Sequence, residues 1–248
     1  MGIHDISELE LFYGIFNLLF ISIIILIGVK IISTYFSHKR EEFITIGLTL
    51  ILLFSGYWSV TLNFILLIFF NSLLPIPFSI FLERFFIPVG VICWIYSFGQ
   101  LVVPHLKQKL VLIFSVICVS YMVFLTISAF VDYTLIAEQV STFYTQNQII
   151  TLIFDLFAIL SVIITFIIFA KSSLSAPNEN VRLKGKLLLI GGLLITSGIV
   201  IDTLIPLNIL ILALTRIIFI LGALFFYFGF FYSRKVPQKE SEINSITS

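Results

Sequence analysis

The sequence predicts an all-α integral membrane protein, a bundle of seven transmembrane helices with its N-terminus outside and its C-terminus cytoplasmic. Three observations carry this. The chain is 60% hydrophobic and only 11% charged, where soluble domains are about 45–50% apolar and about 25% charged. Its apolar residues gather into seven runs, each long enough to cross about 30 Å of hydrocarbon as a helix of about 20 residues. Its lysines and arginines collect in every second connection between those runs.

The runs lie near 10–33, 43–70, 78–103, 109–131, 148–170, 187–205 and 209–232, so that residues 1–232 form one seven-helix domain. Span 1 follows an acidic segment, Asp5, Glu8 and Glu10, which lacks the basic start of a signal peptide. The run is also too long for a signal core, so it is expected to stay in the membrane. Span 2 is long enough to tilt or to project from the bilayer. Span 3 carries two charges, Glu83 and Arg84, and then Pro88. Proline has no N–H to give the carbonyl of Arg84, so the helix is expected to loosen there.

Spans 4 and 5 are joined by the longest outer connection, Asp132 to Asn147, which reads as an ordinary polar connection or, from Tyr133, Phe143 and Tyr144, as a segment lying on the membrane surface. The stretch Ser172 to Asn180 reads as a flexible loop, and residues 233–248 as a short polar cytoplasmic tail, too short for a kinase or cyclase output domain. Continuous apolar runs lack the alternation of a lipid-facing barrel, so strands are excluded as spanning elements.

Orientation comes from the basic residues. Lys39 and Arg40 follow span 1; Lys107 and Lys109 follow span 3. Lys171, Arg182, Lys184 and Lys186 surround the connection after span 5, and Arg234, Lys235 and Lys239 follow span 7. The N-terminal segment and the connections after spans 2, 4 and 6 have no lysine or arginine. This is a full positive-inside pattern. The net charge of +1 offers no general attraction for nucleic acid.

With that orientation, six spans carry a charged or amide residue in their outer third: Asn17, Asn63, Glu83 with Arg84, Asp155, Asp202 and Arg216. Helical spacing sets them on stripes of small and polar residues. Examples are Thr45, Thr49, Leu52, Gly56, Ser59 and Asn63 in span 2, and Gly191, Ile195, Gly198 and Asp202 in span 6. Such stripes face neighbouring helices, because close backbone approach is possible there. The charges are therefore expected to point inward as one layer. Glu83 and Arg84 differ by about 100° around a helix and cannot share one stripe, so that either one of them pairs with a different helix or Arg84 snorkels outward.

Ionisable groups at membrane depth are a functional-site hypothesis by default. Glu83, Arg84, Asp155, Asp202, Arg216 and Asn63 are the candidate ligand-binding or charge-network residues. The leading expectation is a receptor- or sensor-like protein with an outward-facing polar pocket for a small ligand, signalling through a separate membrane or cytoplasmic protein partner. One alternative is a transporter of a small polar solute or ion; another is a structural subunit of a membrane complex. No enzyme is expected, since the chain lacks H-E-x-x-H, G-x-S-x-G and any metal-spaced His or Cys cluster.

The seven-span plan resembles rhodopsins, G-protein-coupled receptors and the sensor regions of some histidine kinases. Their marks are absent. Span 7 has Arg216 and no lysine to form a retinal Schiff base, and the inner end of span 3 reads FGQLVVPH in place of a D-R-Y-like triplet. Span 7 lacks N-P-x-x-Y. His4, His38 and His105 lie near chain ends or span boundaries, which leaves no mid-membrane pair for haem. No cofactor is expected. The segment RLKGKLLLIGGLLITSGIVID, Arg182 to Asp202, resembles stretches of uncharacterised archaeal multi-span membrane proteins. That resemblance implies a similar multi-helix topology and no particular activity.

Overall fold

The chain's computed structural model describes residues 6–140, 142–143, 145–204 and 208–231. The tail expected at 233–248 and Tyr144 lie outside the described residues. Helix α1 (Glu8–His38) starts at a capping box. The Ser7 side chain accepts from the Glu10 amide at 3.3 Å, and the Glu10 carboxylate accepts from the Ser7 amide at 3.0 Å. It stops at Lys39, whose φ of 54° is left-handed, a usual helix terminus.

Spans 2 and 3 are each broken. Span 2 consists of α2 (Glu42–Leu53) and α3 (Trp58–Phe70), joined by a 3-10 turn over Phe54–Tyr57. Span 3 consists of α4 (Ile76–Arg84) and α5 (Phe86–Val102), which part at Phe85. The Phe85 amide still donates to Phe81 at 2.9 Å. Pro88, three residues later, has no N–H for the Arg84 carbonyl, so the break falls where the sequence loosens the ladder.

Helix α6 (Lys107–Val131) follows a 3-10 turn at Pro104–Leu106. The remaining spans are α7 (Ile149–Leu174), α8 (Glu179–Leu204) and α9 (Ile209–Phe231). Among the described residues, seven helical segments are long and apolar enough to cross a membrane.

Two expectations are corrected. The helix of span 6 begins at Glu179, about two turns ahead of the apolar run, and α7 runs on to Leu174, which reduces the flexible loop to a few residues around Pro177. Hydropathy locates the apolar part of a helix, but backbone hydrogen bonding continues through Arg182, Lys184 and Lys186. The connection from Asp132 to Asn147 is no mere polar loop. A 3-10 turn at Tyr133–Leu135 leads into strand β1 (Ala137–Gln139), which pairs antiparallel with β2 (Thr145–Asn147). The hairpin folds into the bundle end: Ile136, Ala137 and Phe143 are buried. The Thr151 hydroxyl of α7 donates to the Ile136 carbonyl at 2.9 Å, and the Thr142 amide donates to Glu10 at 3.2 Å.

Six spans form a closed ring. Helix α1 packs on α2 and α9, α2 on α5, α5 on α7, α7 on α8, and α8 on α9. Helix α6 stands outside the ring against α4 and α5. The outer surface is apolar, with Leu26, Phe69, Leu112, Phe130, Ile153 and Leu210 all exposed.

Helices α8 and α9 approach closely at a pair of glycines. A Cβ built on Gly191 stands 2.8 Å from the Gly222 carbonyl oxygen and 3.0 Å from the Phe226 amide nitrogen, both backbone atoms. A Cβ on Gly56 in the 3-10 turn meets nothing closer than 3.8 Å. Gly191→Val is expected to cost about 1–3 kcal/mol or more through overpacking. Gly56→Ala should be neutral or slightly stabilising. Thermal unfolding of the two variants in detergent checks the contrast.

Candidate functional site

The predicted layer of charges resolves into two ion clusters at the end of the bundle that carries the hairpin. The first is centred on Arg84. Its Nη2 donates to Glu83 Oε1 at 2.6 Å and its Nη1 to Asp155 Oδ2 at 2.9 Å. Arg84 thus pairs with a different helix, as expected for one of the two, and also with its own neighbour Glu83. The two backbone positions do diverge, but the long Arg84 side chain lies at the end of α4 and reaches both its neighbour and α7.

The hairpin completes this cluster. Residues two apart on a strand share a face, so Thr145 and Asn147 point into the bundle while Gln146 is exposed. The Thr145 hydroxyl donates to Glu83 at 3.1 and 3.2 Å, and Asn147 Nδ2 donates to Asp155 Oδ2 at 3.2 Å. The three charged side chains are 13%, 13% and 22% exposed. Two carboxylates thus share one guanidinium, a formal balance of one negative charge. Nε of Arg84 and Oδ1 of Asn147 are buried with no hydrogen-bond partner among the described residues.

The second cluster is centred on Arg216 of α9, 2% exposed. Its Nη1 donates to Asp202 Oδ1 at 3.0 Å, and its Nε donates to Asn17 Oδ1 at 2.9 Å. The Tyr57 hydroxyl donates to the other Asp202 oxygen at 2.7 Å. Aromatic faces surround the guanidinium: its carbon lies 4.4 Å from the Tyr57 ring centre, 5.6 Å from Tyr13 and 5.7 Å from Phe219. Such faces attract a desolvated cation. Nη2 of Arg216 and Nδ2 of Asn17 are left without partners among the described residues.

Asn63 belongs to neither cluster. Its Nδ2 donates to Ser79 at 2.9 Å and its Oδ1 accepts from the Leu74 amide at 2.8 Å. It pins the connection between α3 and α4. Sequence reasoning left Thr145, Asn147 and Tyr57 out of the site. The alternation Thr-Gln-Asn just before span 5 was the available signal for the first two. Tyr57 had none, because its position depends on the 3-10 turn.

Beyond the clusters the core is aromatic. Phe20, Phe54, Tyr57 and Phe219 pack together beside Arg216. Nearer the basic end, Trp94 packs on Phe166, Phe169 and Phe226, and its indole N–H donates to Thr165 at 2.7 Å. No group of three or more His, Cys, Asp or Glu able to hold a metal occurs among the described residues. No family model, no curated protein and no solved structure matches this chain.

Removing one member of a buried ion pair strands the other. Arg216→Met is expected to cost about 3–5 kcal/mol, because among the described residues Asp202 then keeps the Tyr57 hydroxyl alone. The double variant Arg216→Met with Asp202→Leu should recover much of that loss. Arg216→Lys should recover little, since an ammonium cannot reproduce the forked contacts to Asp202 and Asn17. Melting temperatures of the three variants in detergent test the series.

Proposed function

We propose that the chain is a receptor- or sensor-like protein of the cell membrane, multi-pass, with the hairpin end outside and the basic end in the cytoplasm. Its ligand is a small cation that enters the Glu83–Arg84–Asp155 cluster from outside. The observation that carries this reading is the seating of the hairpin. Thr145 and Asn147 donate into two carboxylates that share a single guanidinium. An ammonium group supplies the same kind of donor together with the missing positive charge, so it competes directly with the hairpin.

The cluster lies beside the break between α4 and α5. Exchanging the hairpin's donors for a ligand's alters what holds Arg84, and Arg84 ends α4. In this mechanism α5 then carries the displacement toward the basic end and to a separate partner. The aromatic layers between the clusters and the basic end weigh against a transport path.

Protein reconstituted in liposomes and given ethylammonium tests the reading, with tetramethylammonium, which has no N–H to donate, as the control. Ethylammonium should raise the melting temperature of the wild type and fail to do so in Glu83→Gln, and tetramethylammonium should raise neither. Radiolabelled cation should not accumulate inside the vesicles. Uptake that Glu83→Gln abolishes would replace the receptor with a transporter. Orientation has its own check, in a background without Cys93 and Cys118. A membrane-impermeant maleimide added to whole cells should label Gln146→Cys and leave Ser175→Cys untouched.

A further inference from the structure

At the end of the ring opposite the hairpin lies a cleft of about 310 Å³. It uses none of the residues of the two ion clusters. Five ring elements line it, namely α2, α5, α7, α8 and α9. Its volume falls at the lower end of the roughly 300–1,000 Å³ of small-molecule sites.

The lining is divided by chemistry. Arg40, Glu42 and Lys184 stand at the entrance, and Ile46, Leu101, Phe169 and Leu188 form apolar walls. Arg40 Nη2 reaches Glu42 at 3.3 Å, and the Arg40 side chain is 58% exposed. Lys184 is half-buried and has no ion-pair partner among the described residues. The entrance therefore holds two cations against one carboxylate. Phe169 of the lining packs on Trp94 with ring centres 6.3 Å apart.

We infer that this cleft binds a single-chain amphiphile with an anionic head, its carboxylate or phosphate between Arg40 and Lys184 and its alkyl chain along the apolar walls. The uncompensated lysine selects the sign of the head. The apolar walls gain from covering a chain. The small volume suits one chain and not the two of a phospholipid. The sequence singled out Lys184 as a topology signal; the fold gives it a second use.

Trp94 provides the readout. The chain has two tryptophans, so Trp58→Phe leaves Trp94 as the sole reporter. The protein is placed in phosphatidylcholine nanodiscs and titrated with ω-bromoundecanoate, whose bromine quenches a tryptophan at close range. Saturable quenching is expected, and competition by unbrominated decanoate. Lys184→Gln should weaken the apparent affinity by about tenfold, the loss of one charge-assisted contact. Glu42→Gln should strengthen binding, because it frees Arg40 and removes a like charge from the head. A purely structural role for Glu42 predicts no such gain.

The neutral ω-bromoundecanol reports partition into the bilayer alone and should quench without saturating. Nanodiscs doped with phosphatidylglycerol distinguish the source. Competition there overturns the single-chain assignment and gives the site to a bilayer lipid, while its absence supports the free amphiphile. Quenching by the carboxylate that never saturates, or that is the same in wild type, Lys184→Gln and Glu42→Gln, overturns the inference.

Discussion

A charge taken into an apolar bundle must find a partner there, and the architecture of one end of this molecule follows from that requirement. Each such group costs roughly 2.5–3.5 kcal/mol on insertion scales. The chain meets the cost by sharing partners across helices. Arg216 binds Asp202 and Asn17, which joins α9 to α8 and α1. Tyr57 brings the joint of span 2 to the same carboxylate. Arg84 joins α4 to α7. The ring of spans is thereby cross-linked at one level by groups that tolerate few alternative pairings. Buried pairs of this kind are weak evidence for stability but fix register in some systems.

The two ends of the bundle are built differently. Toward the hairpin, spans 2 and 3 are jointed, and the joints are in contact with each other. The 3-10 turn presents Tyr57 to one cluster and the break at Phe85 leaves Arg84 to the other. Toward the basic end, the helices run without interruption around an aromatic core. The glycine seams of Gly28 with Gly47 and of Gly191 with Gly222 bring backbones together. In the proposed mechanism this asymmetry has a purpose. A loosely jointed end responds to a ligand, and continuous helices convey the response. The amphiphile cleft then stands where such a response arrives, bounded by the ends of five ring elements.

The hairpin is the part of the fold that most changes the reading of the site. A connection of sixteen residues between two spans has no hydropathy signal of its own. Yet its Thr145 and Asn147 supply the donors that the two carboxylates lack, and its Ile136 and Phe143 supply a buried face. The result is a site that is already filled by the chain itself. In the proposed reading, a ligand enters by displacing the protein's own donors.

The sequence alone determined the number of helical segments, the inward sense of the charged residues and the place where span 3 loosens. These are local properties. Hydropathy reflects transfer of each stretch from water, helical spacing sets which residues share a face, and a missing proline N–H acts on one carbonyl. The partition of the charges was decided only in the tertiary structure. Asn63 left the layer to bind Ser79 and Leu74, Glu83 and Arg84 paired despite their angular separation, and Tyr57 and the hairpin entered the site. Each of these depends on how helices are rotated and ordered around the ring after two backbone breaks. Ion pairs and hydrogen bonds act over about 3 Å, so which partners meet is settled by packing between segments far apart in the chain.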